Sequence, residues 1–340
     1  MEQNHSVETS ARHKTAMRAY EMVRHRLGKL FDLFDDPDVT EVKVNSSADV
    51  FVVRAGRSER VDAGALALTG PALDQALSEI ASSVSQDVDA SGSKALVYAR
   101  MPGYRVTGCL FPFSSAGTSL RIRKHSSRVL SLEDYFKQGL PVAAGEALQR
   151  LVAQGVNILI SGGTDTGKTT FLNMISRLIP DDESVLSIED TRELTLKVQD
   201  WVAFEYNVQA GVTAVDMLQL ALRYSPKRII LGELRDTVAA AFLEAMNTGH
   251  EGCMATLHAN GTEEALTRIE TLCLRSSSGW PLGAIQNMIR STVGAVVQLA
   301  NVDGCRQVVE IVKVHPRGEV KAGQAYSIEP IYRLRNISQL

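Results

Sequence analysis

Residues Gly162-Gly-Thr-Asp-Thr-Gly167-Lys168-Thr169 fit the pattern G-x-x-x-x-G-K-[ST] and lie between an apolar run, Val156–Ser161, and an amphipathic stretch, Thr169–Leu178, that stops at Pro180. Such a loop works only where a strand delivers it and a helix begins behind it. The N–H groups of the turn and of the first helical residues must converge on one anion. The motif therefore commits the chain around it to strand, loop and helix in that order. Glycines let the backbone wrap phosphate oxygens. Lys168 is expected to reach the β- and γ-phosphates, and the Thr169 hydroxyl to bind Mg²⁺. The expected nucleotide-binding stretch is Gly162, Gly163, Thr164, Asp165, Thr166, Gly167, Lys168, Thr169 and Thr170. Nothing in the chain matches an N-K-x-D guanine reader, so ATP with Mg²⁺ is the expected cofactor pair.

The fourth loop position carries a carboxylate, Asp165. Asp tolerates positive φ better than most residues, so the turn survives. A negative charge beside a triphosphate is repulsive, and the side chain is expected to point outward to solvent.

Downstream, apolar strands alternate with amphipathic helices. Helix Glu146–Gln154 precedes the loop, and strand Val185–Ile188 follows it. Helix Ala214–Tyr224, strand Arg228–Leu231, helix Thr237–Thr248, strand Cys253–Leu257 and helix Glu263–Leu274 complete the alternation. That pattern predicts a mainly parallel sheet covered on both faces. Ala295–Ala300 and Arg306–Val314 flank Asn301-Val-Asp-Gly304, a hairpin signal.

Upstream the signals are weaker. Met17, Tyr20, Val23, Leu27, Leu30 and Phe31 share one helical face, with Arg18, Arg24, Arg26 and Lys29 on the other. The plain reading is a core-facing helix with a solvated basic side; the alternative is contact with anionic lipid heads. Short strands are expected at Glu41–Asn45, Val50–Val53, Ala95–Arg100, Tyr104–Phe111 and Thr118–Lys124, with a helix from Pro71 to Val84. Ser131-Leu-Glu-Asp134 reads as a capping box, and Gly139, Pro141 and Gly145 read as a hinge. The expected organisation is a flexible arm over 1–15, a small α/β domain over 16–130, a linker over 131–145 and a second domain over 146–340.

Composition removes several classes. Hydrophobic residues are 44% and charged residues 22%, which excludes wholesale disorder. The net charge is -3, so the chain is not a bulk nucleic-acid binder. The four cysteines, Cys109, Cys253, Cys273 and Cys305, form no C-x-x-C pair, so neither a zinc site nor a disulfide framework is expected. Apolar runs such as Val156–Ile160 are too short to span a bilayer, and the polar N-terminus lacks the apolar core of a signal peptide. A cytoplasmic protein is expected.

Three further clusters end predicted strands, the edge where open α/β sheets bind ligands. Ser187-Ile-Glu189-Asp190-Thr191 places carboxylates where Mg²⁺ or an attacking water is held. Arg228-Ile-Ile-Leu-Gly232-Glu233-Leu-Arg235 puts Gly232 where P-loop enzymes commonly carry Asp, leaving the acidic role to Glu233; the structural reading is a strand-end salt bridge to Arg235. Thr256-Leu-His258-Ala-Asn260 brings His258 to the same edge, as a γ-phosphate sensor or a packed core histidine. In the first domain Arg121-Ile-Arg123-Lys124-His125 and Arg128 form a basic run, with Arg100 and Arg105 upstream. It is either a solvated face or a set of arginines aimed at phosphates.

Together these motifs resemble one family closely, the secretion and conjugation traffic ATPases, in the branch of the type IV secretion and TrbB-type conjugal transfer ATPases. The order is GGTDTGKTT, SIEDTREL, RIILGELR and NTGHEGCMATLHAN, preceded by DPDVTEVKVN, SLRIRKHS and LEDYFKQG, so the resemblance spans residues 20 to 315 or so. It implies an α/β fold: a small N-terminal α/β domain and a C-terminal RecA-like P-loop ATPase domain with a mainly parallel sheet. It further implies a homohexameric ring with ATP between the domains, at the cytoplasmic side of the inner membrane. There the ring would work with the proteins of a secretion or conjugation machine for export or pilus biogenesis. Carried over by position, Lys168 and Thr169 bind phosphates and Mg²⁺, Glu189 is the acid of the second motif and a metal ligand, and Glu233 is the catalytic acid. His258 belongs to the histidine motif, and Arg105, Arg121 and Arg123 are phosphate contacts. This sequence departs from the family pattern at Asp165, usually Gly, and in Arg223-Tyr-Ser225-Pro-Lys227-Arg228, usually R-x-R-P-D-R. It also lacks the cysteine cluster of some type II and pilus relatives, which favours the type IV branch. Two rivals stand beside this reading. One is a RecA-like nucleic-acid motor, which would need a basic groove with interleaved aromatics. The other is a weakly hydrolysing nucleotide-binding ring scaffold, suggested by Asp165 and Ser225. Direct sequence-specific binding of nucleic acid is not expected.

Overall fold

The computed structural model describes Met17 and residues 20–54, 56–84, 86–124, 129–208, 211–235, 237–276, 279–316 and 325–334. The expected arm over 1–15 lies outside them, as do His125 and Arg128 of the basic run. The chain divides into two compact units, Met1–Ser127 and Arg128–Leu340. No helix of the described residues is long and apolar enough to cross a membrane.

The first unit is built on an antiparallel sheet of strands β1 (Val39–Ser46), β2 (Asp49–Arg54), β3 (Arg57–Val61), β4 (Leu96–Met101), β5 (Tyr104–Cys109) and β6 (Ser119–Lys124), in the order β3-β2-β1-β6-β5-β4. One face is apolar: Val42, Val44, Val97, Val106, Leu120 and Ile122 are all buried. Against it packs the helix Gly70–Ser83, started by Thr69, whose hydroxyl accepts from Ala72 N–H. The two approach closely at Gly108, where a Cβ would lie 2.3 Å from Leu77 Cδ1. The other face is charged. Cross-strand pairs Glu41–Arg123, Arg123–Arg105 and Arg105–Arg100 run in one row across four strands.

The second unit carries the expected mixed sheet. Its strands are β7 (Ile158–Gly162), β8 (Val185–Glu189), β9 (Trp201–Glu205), β10 (Arg228–Leu231), β11 (Met254–Leu257), β12 (Ala295–Val302), β13 (Cys305–His315) and β14 (Ser327–Arg333). They lie in the order β14-β13-β12-β7-β11-β10-β8-β9. From β12 to β9 every pairing is parallel, whereas β12, β13 and β14 are antiparallel. The parallel strands β7, β8, β10 and β11 are buried at every residue, as a sheet covered on both faces requires. Neighbouring parallel strands bring their C-terminal ends to one edge, and the motifs sit there.

The strands β3, β9 and β14, the four-residue helix Ala63–Leu66 and the helix Leu282–Thr292 were not expected. β3 (RSERV) is mostly exposed, so no apolar alternation marks it. β9 is an edge strand without a buried residue, following a polar loop. β14 contains Pro330, which argues against a strand except at a sheet edge, where β14 lies. The helix Leu282–Thr292 starts at Pro281 and buries only Ile285, Ile289 and Thr292. Residues 131–145, the expected linker, form the capping box at Ser131 and a short helix, Leu132–Lys137. They contribute Leu132, Tyr135, Leu140 and Ala144 to the second unit's core, where Tyr135 stacks edge-on against Phe171.

Candidate functional site

The loop leaves β7 at Gly162 and enters the helix Lys168–Ser176 at Gly167. Two glycines are required for different reasons. Gly167 has φ +88°, which favours a residue without Cβ. Gly162 is crowded, and a Cβ there would lie 2.5 Å from Thr166 Oγ1 and 2.8 Å from the Leu299 carbonyl. Thr166 Oγ1 donates to the Gly163 carbonyl at 3.0 Å, closing the turn. Lys168 Nζ curls back over the loop and donates to the carbonyls of Gly162 at 3.0 Å and Gly163 at 2.6 Å. Burial pushes its ammonium below the ordinary lysine range.

The ammonium also meets His258, 3.3 Å from Nδ1, and His258 Nε2 lies 3.2 Å from Glu233 Oε1. An ammonium has only donors, so Nδ1 must accept. The proton of the neutral ring then sits on Nε2 and donates to Glu233. Burial first, and the Lys168 charge second, hold the imidazole below its ordinary range, which keeps it neutral. Glu233 Oε2 is bonded to Arg235, the salt bridge expected as the structural reading of this acid. One carboxylate oxygen of Glu233 thus faces Arg235 and the other faces His258.

Glu189, at the end of β8, is almost fully buried. Its Oε2 accepts from the N–H groups of Glu193 at 2.7 Å and Leu194 at 3.1 Å, while its Oε1 is buried with no hydrogen-bond partner among the described residues. Burial dominates and pushes the carboxyl up to about 7. Beside it, Gly232 answers why Asp is absent from β10's end. A Cβ there would lie 3.3 Å from Glu189 Cγ. Thr256 Oγ1 donates to the Gly232 carbonyl at 2.6 Å, and Gly232 N–H donates to Ile188 at 2.9 Å, which ties three strand ends together.

Asp165 departs from expectation. It has φ +62°, as foreseen for this turn. Its carboxylate does not simply face solvent, however, but is paired with Arg306 Nη2 at 2.5 Å. Arg306 stands at the start of β13, 141 residues away in sequence, and no local pattern marks it as a partner of the loop.

The arginines of the first unit divide. Arg121 is engaged within its own sheet, donating to Asn45 Oδ1 at 2.8 Å and to the carbonyls of Val44 at 3.2 Å and Leu120 at 3.1 Å. Arg123 is exposed and Arg105 half-buried, on the same charged row. Arg123 stands opposite both Arg105 and Glu41 in that row. Ser225 is exposed at φ +49°.

These residues fit a nucleotide with its metal. The loop turns through Gly167 at positive φ, and its lysine is buried and, among the described residues, has no carboxylate at hydrogen-bonding distance. The orphaned oxygen of Glu189 suits a water held by a hydrated cation. Among the described residues no cluster of three His, Cys, Asp or Glu is spaced to hold a metal. Mg²⁺ commonly takes only one or two protein ligands and fills its sphere with phosphate oxygens and water.

Residues 28–331 match the model of a family described as type II/IV secretion system protein. The conjugal transfer protein TrbB of Rhizobium radiobacter is 32% identical over 287 residues, spanning 82% of this chain and 85% of that protein. The type IV secretion system protein PtlH of Bordetella pertussis is 30% identical over 310 residues, spanning 81% of this chain and 90% of that protein. Among solved structures, the Legionella pneumophila ATPase DotB shares the fold with a TM-score of 0.60 at 22% identity, over 84% of this chain and 79% of that one.

Proposed function

The chain belongs to the type II/IV secretion system protein family, and from that premise we propose that it is a Mg²⁺-dependent ATPase powering a type IV secretion or conjugative transfer machine. The observation that carries this reading is the Lys168–His258–Glu233 chain set against a glycine-bounded loop at one sheet edge. Bound ATP with Mg²⁺ would supply the phosphoanhydride bond and a divalent charge across its phosphates.

The chain's own groups then divide the work. The loop N–H groups and Lys168 hold the phosphates, and Lys168 exchanges its carbonyl partners for them. The Thr169 hydroxyl and Glu189 are the metal-side groups. Glu233 orients and polarises the attacking water. Neutral His258 keeps Glu233 and Lys168 in register through its two ring nitrogens. A ring bonded through Nδ1 on one side and Nε2 on the other feels any change at the phosphate end, which suits a sensing role. Arg123 and Arg105 are candidate phosphate contacts from the first unit.

The proposed assembly is a homohexamer at the cytoplasmic side of the inner membrane, peripheral to it and bound to the machine's other proteins. Full-length protein should hydrolyse ATP in Mg²⁺ and lose that activity in EDTA. Its size on gel filtration should rise to about six chains with nucleotide, by the ring closure expected of identical subunits. A monomer under all conditions, or no turnover with Mg²⁺, would contradict the reading.

A further inference from the structure

β12 runs parallel to β7, with Leu299 opposite Gly162, the last residue of that strand. β12 continues to Val302, and the chain turns through Asp303 and Gly304, both at positive φ. It returns as β13, with Arg306 opposite Asn301. The tip of this hairpin therefore runs past the end of β7, on the side where the phosphate loop begins. The stem of Arg306 lies along the loop: a Cβ at Gly167 would be 3.3 Å from Arg306 Cδ and 3.9 Å from its Cβ. Its guanidinium is paired with Asp165, and both side chains are about half exposed, at 47% and 53%.

We propose that Arg306 is a polyphosphate-binding residue, held by Asp165 while the loop is free of nucleotide and handed to a nucleoside polyphosphate when one binds. This rests on the nucleotide reading of the loop. The carboxylate acts as a stand-in anion. Without Arg306 it would leave an uncompensated negative charge where phosphates must enter. With Arg306 the pair is neutral, and a side chain with planar guanidinium donors lies with its stem against Gly167, the residue before Lys168. A half-exposed ion pair is weakly held, so exchanging a carboxylate for a more highly charged phosphate is favourable. The loop tolerates a charge at Asp165 because the hairpin brings its counter-ion.

The test is a titration of full-length protein with a fluorescent ADP analogue, with Mg²⁺, at low and high salt. The proteins are wild type, Arg306→Ala, Arg306→Gln, Asp165→Gly, the double variant Asp165→Gly/Arg306→Ala and Lys168→Ala. Affinity should follow the pair's net charge. Both Arg306 variants should bind about fivefold more weakly and Asp165→Gly about fivefold more tightly, the effect of one unit charge at roughly 8 Å in a half-wet site. The double variant should return to within about threefold of wild type, and all differences should shrink at high salt. Melting temperatures without nucleotide should be unchanged in the Arg306 variants, since the pair is exposed. Arg306 variants that bind like wild type while Lys168→Ala does not would overturn the proposal and leave the loop reading standing. A double variant as weak as Arg306→Ala would overturn the exchange with Asp165. Wild-type binding by Lys168→Ala would refute the loop reading itself.

Discussion

The Lys168 ammonium lies 3.3 Å from Nδ1 of His258, and that contact fixes what the imidazole is. A ring that accepts at Nδ1 and donates at Nε2 to Glu233 is neutral and has one tautomer. The lysine of the loop and the acid of β10's end are thereby joined through a single side chain. Displacement of Lys168 toward a phosphate would loosen His258's hold on Glu233.

The first expected outcome concerns that ring. ¹⁵N-histidine NMR of the nucleotide-free protein should show His258 titrating below the ordinary histidine range, as the Nε2–H tautomer at neutral pH. In Lys168→Ala the value should rise, because the nearby positive charge is gone, but stay below ordinary because burial persists. Because its folded-state value is depressed, neutral His258 contributes stability that is full above the unfolded-state value and is lost as pH falls through the folded-state value. A His258 signal unmoved by the lysine substitution would refute the contact.

Glu233→Gln should keep nucleotide binding and slow hydrolysis on the order of 10²-fold or more, since the amide keeps the shape but not the charge that polarises water. Paired binding and single-turnover assays check both halves. Near-normal turnover would transfer the role to Glu189.

Much of this was legible in the sequence because it is local. The loop and the strand-end acids announce themselves within a few residues of a strong apolar run, and so does the Ser131 capping box. What escaped is non-local or at the edges. Asp165 and Arg306 are 141 residues apart and meet only because β12 pairs with β7. Gly232 is explained by the Cγ of Glu189, a neighbour across β10 and β8 that sequence order hides. β3, β9 and β14 are outer strands with little buried surface, so hydrophobic alternation, the main signal for a strand, is faint in them. Arg121 reads like Arg123 in sequence, and only the position of Asn45 separates them.

Gly232→Ala should place a methyl against Glu189 Cγ and cost about 1–3 kcal/mol of stability, as small overpacking does. It should also slow turnover by displacing the Glu189 carboxylate. Gly163→Ala is the control for stability, because its Cβ would meet only Thr166 Cγ2 at an ordinary 3.7 Å. Denaturant unfolding of both variants, with equal losses, would contradict the packing argument.

Arg123→Ala and Arg121→Ala should differ. Arg123 is exposed, so its loss should weaken nucleotide binding or turnover at unchanged melting temperature. Arg121 ties β6 to β1 through Asn45 and Val44, so its loss should lower the melting temperature. Unchanged KM and kcat in Arg123→Ala would make the charged row a solvated face.

The central claim is that Gly162–Thr170 hold the phosphates of a hydrolysable nucleotide, and Lys168→Ala tests it most directly. Steady-state ATP hydrolysis by the full chain should fall to background in this variant, with nucleotide affinity reduced. Hydrolysis at the wild-type rate by Lys168→Ala would contradict the account.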